Sequence, residues 1–338
     1  MRILGGRTLS PIGVELDGEW LHAAQLERTN GSWRTHAHCS IPVGSENDLA
    51  LGVAALERQG FVGRRAVVAA ERARLVSSMV EAPPPDSPAP RDEIIRHEIA
   101  RLAECGAESI EVGSWAMNAA ADGATIAVAY RKADANRWMD RFESVGLDVQ
   151  AIDCESLAIH RACEWLYDSE HPGVVIVCVG HSSSLVMVTR SHGVVFQRVH
   201  DGFGRSIWRD QIREQFNIDE EVADYILERA FENSDASEND AGRFARRCLQ
   251  EQARTLGREI VESVEYVDRY LGDGSTTQLW MTGVGGSIGG LASALGAETG
   301  FAARTVTPSD CVSGGALASG DAGQVTAIGL AMHGSGDG

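Results

Sequence analysis

The sequence predicts an α/β fold in which the second half of the chain repeats the plan of the first. Residues 12–27, IGVELDGEWLHAAQLE, and residues 174–189, VVIVCVGHSSSLVMVT, each contain an apolar strand, a short turn of Gly and small or polar residues, and a second strand. Two such hairpins near the starts of two halves indicate an internal duplication. A chain of 338 residues is also long enough to form two domains.

The composition excludes several classes of protein. With 43% hydrophobic and 23% charged residues, the chain has the make-up of an ordinary globular protein. Its formal net charge of −18 argues against a general nucleic-acid binder and against direct adhesion to an anionic membrane. Lys132 is the one lysine of the chain, and its neighbours do not match GxxxxGK[ST]. The P-loop motif of nucleotide binding is therefore absent from the sequence.

Cysteine usage and hydropathy predict a cytoplasmic location. The seven cysteines are an odd number and form no CxxC pair, which is typical of buried free thiols in a reducing compartment. The N-terminus lacks an apolar run long enough for a signal peptide, and the longest apolar run, VVIVCV, is far too short to span a membrane. We therefore expect a protein that reaches a membrane only through a partner.

Strands and helices alternate after the first hairpin. The pattern predicts a strand near 33–41, a helix with Ser45 as its N-cap and its end at Gly60, and a strand over 66–71. The segment 83–90 contains five prolines in eight residues, so no regular element can cross it and it marks a boundary.

A compact β/α insertion is predicted beyond this boundary. It consists of an amphipathic helix at 91–104, strands at 109–117 and 124–130, and a helix at 133–145. The chain then returns through 149–153 into a helix over 155–167. These elements together have about the size of a subdomain.

The second half begins at Gly173 with the second hairpin. Its predicted elements are a strand at 194–199, a Gly-containing turn at 201–204, helical stretches at 206–232 and 240–271, the strand QLWMTG, a helix at 290–300 and a closing helix at 324–333. The glycine-rich GVGGSIGG joins the last strand to the helix that follows it.

Several of these segments, in their order and spacing, resemble one family. GVELDGEWLHAAQL corresponds to its first phosphate hairpin, DEIIRHEIARLAE and FESVGLDVQAIDCESLAIHRA to the entry and exit of an inserted subdomain, MTGVGGSIGGLASAL to its adenosine-side loop, and TAIGLAM to its closing helix. Over nearly its whole length the chain thus resembles the PilM family of type IV pilus and competence machineries, which is related to FtsA. The insertion favours PilM and FtsA over actin and the sugar kinases.

The resemblance implies the actin-like ATPase fold, with two RNase-H-like lobes and an FtsA/PilM-type subdomain inserted in the first lobe. In this superfamily a nucleotide lies between the lobes. The implied divisions are residues 8–82 and 150–170 for the core of lobe one, 83–149 for the inserted subdomain, 171–210 and 276–334 for the core of lobe two, and 211–275 for a helical subdomain of lobe two.

The resemblance also implies which residues would face ATP, and it assigns no catalytic residue and no metal ligand. The candidates are Glu15, Gly18, Gly180, Ser182, Ser183, Ser184, Gly202, Gly283, Gly285 and Gly286. The serines would donate hydrogen bonds to a phosphate. The late glycines could admit an adenosine, and equally could serve only to turn a strand into a helix.

Three substitutions at this site weaken the expectation of catalysis. Glu15 stands where the family has the Asp that holds magnesium, and Cys178 stands where the second hairpin has its Asp. Asp17 replaces a Gly whose backbone must approach the phosphates, although Asp17-Gly18 is also simply a tight hairpin turn. We therefore expect weak or absent hydrolysis, and poor binding of ATP and magnesium if they bind at all.

The expected function is that of a PilM-like cytoplasmic scaffold in a type IV pilus or type II secretion-like assembly. The resemblance implies that it binds the cytoplasmic N-terminal peptide of a PilN-like inner-membrane protein, in a groove between the first lobe and its insertion. Two alternatives stay open. One is an active ATPase or a sugar-kinase-like phosphotransferase on the same fold, and the other is an FtsA-like filament protein.

Overall fold

The computed structural model describes residues 2–4, 7–29, 31–44, 46–84, 87–117, 124–167, 173–190, 193–232, 239–271, 276–312 and 322–334. Within these ranges the chain forms three β-sheets with helices packed against them. One sheet belongs to the first half, one to the second half and one to the predicted insertion.

The first half and the insertion alternate strands with helices. The strands are β1 (Arg2–Leu4), β2 (Arg7–Leu9), β3 (Ile12–Asp17), β4 (Trp20–Thr29), β5 (Ser32–Pro42), β6 (Arg65–Ala69), β7 (Val76–Glu81), β8 (Ile110–Ala116), β9 (Ala124–Arg131) and β10 (Asp148–Asp153). The helices are α1 (Glu46–Arg58), α2 (Arg91–Leu102), α3 (Lys132–Ser144) and α4 (Glu155–Cys163).

The second half opens with strands and then becomes largely helical. Its strands are β11 (Gly173–Val179), β12 (Ser183–Arg190), β13 (Gly193–Asp201), β14 (Thr276–Thr282) and β15 (Ala302–Thr305). Its helices are α5 (Arg205–Phe216), α6 (Glu220–Glu228), α7 (Asp240–Leu271), α8 (Leu291–Thr299), α9 (Pro308–Cys311) and α10 (Val325–Ala331).

The sheet of the first half is mixed, in the order β1-β2-β4-β3-β6-β10, with β5 also paired to β4. The hairpin strands β3 and β4 are antiparallel, whereas β6 runs parallel to both β3 and β10. On one face α1 and α3 cover the sheet, and Leu49, Trp138 and Phe142 are buried there. The parallel strands therefore end at the same edge as the tip of the first hairpin.

The predicted insertion forms its own antiparallel sheet, in the order β7-β9-β8. Helix α2 covers one face through the buried side chains of Ile95 and Ile99. Strand β7 belongs to this sheet, because Met79 pairs with Ile126, although it precedes the proline segment at 83–90. The sequence did not predict β7, since VSSMVE is short and only half of its residues are apolar.

The sheet of the second half has the order β13-β12-β11-β14-β15. Its central strand β11 is buried on both faces. Val175 and Val177 pack toward α7 and α8, whereas Ile176 and Cys178 pack toward α4 and α10. This two-sided burial explains the uninterrupted apolar run VVIVCV.

Helix α10 joins the two halves, because it follows the second half in sequence and packs against the first. All of its residues are buried. A Cβ at Gly329 would lie 1.8 Å from the Ala158 carbonyl oxygen of α4, and a Cβ at Gly13 of β3 would lie 2.0 Å from the Ala327 oxygen. Only glycine fits at these two contacts.

Several predicted boundaries differ from the structure. Helix α4 ends at Cys163 rather than at residue 167, and the predicted helical stretch 206–232 consists of the two helices α5 and α6. The break follows from Asn217, whose left-handed backbone (φ 48°) ends α5 while its N–H bonds to the Arg213 carbonyl. Strand β15 and helix α9 were not predicted. The predicted N-cap Ser45 lies outside the described residues.

The described cysteines agree with the prediction of free thiols. Cys154, Cys163, Cys178 and Cys311 are buried, and the other three are half-buried. Across the described ranges, no helix combines the length and the apolar character that crossing a bilayer requires.

Candidate functional site

The two predicted hairpins meet at their tips. The first turns at Gly18 and Glu19, one residue later than predicted, and the positive φ of Gly18 (60°) suits the first position of a two-residue turn. A Cβ on Gly18 would lie 2.3 Å from the His181 ring of the second hairpin. The Asp17 carboxylate accepts a hydrogen bond of 2.8 Å from the His181 N–H. The Asp17 carboxylate is therefore engaged in a hydrogen bond within the protein.

Arg72 lies between the two hairpins and contacts both lobes. It sits in a short 3₁₀ turn after β6, and its guanidinium donates to both carboxylate oxygens of Glu155, at 2.8 and 2.5 Å. It also donates to the carbonyl oxygen (2.5 Å) and hydroxyl oxygen (3.1 Å) of Ser183, and lies 3.8 Å from the Cys178 sulfur. We call Arg72, Glu155 and Ser183, with the Asp17–His181 bond, the interlobe latch.

The Arg72–Glu155 ion pair of the latch is largely shielded from water. The side chains of Arg72 and Glu155 are 13% and 8% exposed, so their ion pair is formed at low dielectric. Helix α4 presents Glu155 as its first residue, and β6 ends just before the turn that carries Arg72. Both charged groups are thus held by the ends of buried elements.

Glu15 is the second buried carboxyl of this site. Burial raises its pKa well above 4.5, and the nearby carboxylates of Glu155 and Asp17 raise it further. The Arg72 guanidinium and a hydrogen bond from Thr326 oppose that shift only in part. The neutral acid is therefore favoured at this position.

Cys178 lies at the floor of the same site and stays a thiol. Burial raises its pKa well above 9.0, and Glu155 raises it again. A neutral thiol is a poor ligand for magnesium, which prefers carboxylate oxygens. In the part of the chain that the structure describes, no three metal-binding side chains come together.

The serines of the second hairpin differ in what they bond. Ser184 is fully buried and its hydroxyl donates to the Phe203 carbonyl oxygen at 2.6 Å. Ser183 bonds the guanidinium of the latch, and Ser182 is exposed. Gly202 turns the chain after β13 with a positive φ of 83° and has open space around it.

Helix α5 begins against the turn of the second hairpin. The N–H groups of Arg205 and Ser206 donate to the carbonyl oxygens of Gly180 and His181, at 3.1 and 2.9 Å. A Cβ on Gly180 would lie 2.7 Å from a nitrogen of Arg72. The glycine is therefore needed for the close approach of the latch.

The late glycines pack against neighbouring protein. A Cβ on Gly285 would lie 2.2 Å from a methyl group of Val179, and one on Gly286 would lie 2.6 Å from the Ala322 side chain. Gly283 has a φ of 83°, and a Cβ there would lie 2.4 Å from the Val179 carbonyl oxygen. The loop turns β14 into α8, and close packing together with the positive φ of Gly283 accounts for these three glycines.

The structure thus divides the ten predicted residues into three groups. Four of them surround the latch, namely Glu15, Gly18, Gly180 and Ser183. Ser184 and the late glycines contact neighbouring protein, while Ser182 and Gly202 face outward.

The sequence reading missed Arg72, Glu155 and His181. Arg72 and Glu155 could have been suspected, since each is a charged residue within two positions of the end of a predicted strand, at 66–71 and 149–153. The hairpin pattern gave no reason to single out His181, whose backbone N–H bonds to Asp17 and whose ring lies beside Gly18.

A groove separates the first lobe from the predicted insertion. It encloses about 560 Å³ between the sheet of the insertion, α3 and the start of α4. Its walls include Leu75, Trp115, Tyr130, Met139 and Leu157. We call this cavity the partner groove. Its apolar walls suit apolar side chains of an extended segment.

The strand β8 offers unpaired backbone groups to this groove. Met117 donates to the Ala124 carbonyl, so the hydrogen-bonded pairs of β8 and β9 fall on odd-numbered residues of β8. Val112 and Ser114 therefore direct their N–H and C=O groups away from β9. Both residues line the groove, and β8 is the edge of its sheet within the described residues.

Comparison of sequences identifies one family. The profile of the family described as type IV pilus assembly protein PilM matches residues 110–335. No curated protein matches the chain.

Comparison of structures finds the same fold in several proteins. A PilM–PilN type IV pilus biogenesis complex superposes with a TM-score of 0.76 and 17% identity, covering 96% of this chain and 98% of that one. The ethanolamine utilization protein EutJ from Carboxydothermus hydrogenoformans gives 0.56 and 13%, covering 97% and 90%. MreB5 of Spiroplasma citri bound to ADP gives 0.53 and 10%, covering 95% of each chain. These likenesses establish an actin-like fold.

Proposed function

The chain belongs to the PilM family of type IV pilus assembly proteins, and from this we propose that it is a scaffold that binds the cytoplasmic N-terminal peptide of a PilN-like inner-membrane protein. In this proposal the protein is cytoplasmic and is held at the inner membrane by that peptide. The machine is a type IV pilus or a type II secretion-like assembly.

The partner groove is the observation that carries the proposal. An extended peptide can add to the edge of a sheet through main-chain hydrogen bonds, while pockets select its side chains. Here the free edge of β8 and the apolar walls of the groove are in one place. A structure of similar fold is that of PilM in complex with PilN, which supports a partner of this kind.

The test exploits the outward N–H of Ser114. Replacing Ser114 by Pro removes this donor but leaves the bonds between β8 and β9, because edge strands tolerate proline where the N–H faces outward. Ser114→Ala, which keeps the N–H, is the matched control. The ligand is a synthetic peptide with the N-terminal sequence of a PilN-like protein from the same genome, titrated by calorimetry.

We expect saturable binding by the wild type and by Ser114→Ala. For Ser114→Pro the affinity should fall about tenfold, because this factor corresponds to roughly 1.4 kcal/mol, the free energy of one good hydrogen bond. Circular dichroism should show the same fold for all three proteins. Failure of the wild-type protein to bind the peptide would contradict the proposal. Equal affinities for the three proteins would place the peptide elsewhere.

We also infer that the interlobe cleft is a degenerate nucleotide site. A metal-bound triphosphate would meet the Asp17 carboxylate, the Glu15 carboxyl, whose raised pKa favours the neutral acid, and a guanidinium already bonded to Glu155 and Ser183. This inference favours a scaffold over an ATPase or a phosphotransferase.

A further inference from the structure

Strand β8 has a glycine at its centre, Gly113, that the fold does not require. Its φ is not positive, and β8 pairs with β9 from Ile110 to Ala116 without a register shift. Among the residues that the structure describes, a Cβ on Gly113 would lie within 4 Å of one atom only, a methyl carbon of Val128 at 3.2 Å. Glycine inside a strand weakens that strand, and it often marks a place where a ligand approaches closely.

Gly113 faces the partner groove. It pairs across the sheet with Val128, and Tyr130 lies diagonally opposite on the same face. Val128 and Tyr130 line the groove, whereas the alternate residues of β9, Ala127 and Ala129, pack on the other face beneath α2. The missing side chain therefore leaves space on the groove side of the sheet.

Two aromatic side chains flank this space, and each is held by a hydrogen bond to a group outside it. The Trp115 indole N–H donates to the Val194 carbonyl oxygen of β13 at 2.7 Å. The Tyr130 hydroxyl donates to the Glu71 carboxylate at 3.1 Å. Because their polar groups already have partners, the two rings offer apolar surface to a ligand. We call the space over Gly113, between the two rings, the Gly113 pocket.

A strand added to the edge of β8 would place one side chain at this pocket. Residues opposite each other on adjacent strands direct their side chains to the same face of the sheet. Gly113 directs its own N–H and C=O groups toward β9. In an antiparallel arrangement the added residue opposite it would therefore form a non-hydrogen-bonded pair, in which the two Cα atoms are only about 4.5 Å apart. A glycine at such a position leaves room for a large side chain on the added strand.

We propose that Gly113 sets the specificity of the partner groove by admitting one large apolar side chain of the bound peptide. The inference rests on the proposed function, since the occupant is the N-terminal peptide of the PilN-like protein. The pocket is bounded by two aromatic rings and a valine, which suit an apolar group rather than a charged one. Any side chain at position 113 would occupy the same space as that group.

A double-mutant cycle tests this inference, with Gly113→Val as the change that fills the pocket. The ligands are the synthetic peptide of the proposed test and variants of it in which each large apolar residue is replaced in turn by alanine. Calorimetry should show that Gly113→Val binds the unaltered peptide about tenfold more weakly than the wild type does, because one apolar side chain is no longer buried. One alanine peptide should bind the wild type about as weakly, and the two losses should not add when that peptide meets Gly113→Val.

The matched control is Ala116→Val. Ala116 is an exposed residue of the same strand, but it lies on the opposite face from Gly113 and does not line the groove. This variant adds apolar bulk to β8 outside the pocket, so it should bind every peptide as the wild type does.

Gly113→Ala separates a role in binding from a role in folding. Alanine is the better residue inside a strand, so the melting temperature should fall by no more than about 3 °C. Its affinity for the unaltered peptide should lie between those of the wild type and Gly113→Val. A larger fall in melting temperature would show that the fold itself requires the glycine, and it would overturn the inference.

The peptide titrations also separate this inference from the proposed function. Equal affinities of the wild type and Gly113→Val for the unaltered peptide would overturn the inference alone, since the peptide would bind without entering the pocket. A loss in Gly113→Val that every alanine peptide shares would do the same. No binding by the wild type would overturn the proposed function and this inference with it.

Discussion

Arg72 links the two lobes through one side chain, and its energetic role follows from burial. Its removal would leave the Glu155 carboxylate buried without a counterion, and removing one partner of a buried pair usually costs about 3–5 kcal/mol. We therefore expect Arg72→Ala to lower the free energy of unfolding by about 3 kcal/mol, measured by urea denaturation.

The control for Arg72 is Arg101→Ala. Arg101 also pairs with a carboxylate, that of Glu98 at 3.1 Å, but its side chain is 71% exposed. An exposed pair of this kind contributes about 0.5 kcal/mol or less. Equal losses for the two variants would show that the latch contributes no more than a surface ion pair.

Glu15 makes the stability of the protein depend on pH in a predictable direction. Its pKa is raised on folding, so the folded state binds more protons than the unfolded state at pH values above 4.5. The free energy of unfolding therefore falls as the pH rises from the ordinary pKa of 4.5 through the raised pKa of Glu15. Glutamine cannot ionise, so Glu15→Gln should stabilise the protein by about 1 kcal/mol or more at pH 8 and by less at pH 5.

Unfolding in urea at the two pH values measures this effect. The exposed Glu57 supplies the control, because Glu57→Gln should change stability by about the same small amount at both. A Glu15→Gln variant with the same stability difference at pH 5 and pH 8 would contradict the assignment.

For individual residues, the sequence predicted the acidic residues and glycines of the hairpins. It did not predict the residues that connect the two hairpins. Glu15 and Gly18 could be placed because they lie inside a local strand–turn–strand pattern. Arg72 and Glu155 are 83 residues apart, and their contact depends on how two elements pack. No local pattern contains that information.

Secondary elements with strong local patterns were predicted well. The limits of α7, residues 240–271, were predicted because its apolar residues repeat at helical spacing over many turns. Short elements were missed, such as β7, whose apolar face becomes evident only when it pairs with β9. Their stability comes from tertiary pairing rather than from local preference.

Helix α10 offers a test of packing at the scale of an element. Alanine normally stabilises a helix relative to glycine, by about 1 kcal/mol. At Gly329 the added Cβ would lie 1.8 Å from the Ala158 carbonyl oxygen, so α10 and α4 would have to separate. We expect Gly329→Ala to lower the free energy of unfolding by about 3 kcal/mol.

Gly193→Ala is the matched change without a clash, because the nearest atom to its Cβ would lie at 3.8 Å. It should change stability by about 0.5 kcal/mol or less, as surface substitutions do. A stabilised Gly329→Ala protein would show that helix propensity outweighs packing there.

For the whole molecule, the latch and α10 connect the lobes at two separate places. The latch joins the tips of the hairpins, and α10 joins the second half in sequence to the core of the first. Both connections are direct contacts between protein groups.

We expect no magnesium-dependent ATP turnover by the purified chain above that of a variant with residues 182–184 replaced by alanine. The reason is the absence of a carboxylate at Cys178 and the raised pKa of Glu15. Phosphate release measured with and without magnesium compares the two proteins. A magnesium-dependent rate that the alanine variant lacks would establish an ATPase.

Restoring the family's residues tests whether Arg72 itself excludes the nucleotide. The reversions are Glu15→Asp, Asp17→Gly and Cys178→Asp. Arg72 lies 3.8 Å from the Cys178 sulfur, so an Asp there would pair with the guanidinium rather than hold magnesium. The triple variant should therefore gain little affinity for a fluorescent ATP analogue. Adding Arg72→Ala should raise its affinity about tenfold or more in magnesium, while Arg72→Ala alone should not. If the triple variant already binds as tightly as the quadruple one, the residues at positions 15, 17 and 178 alone account for weak binding by the wild type, and the guanidinium serves only to join the lobes.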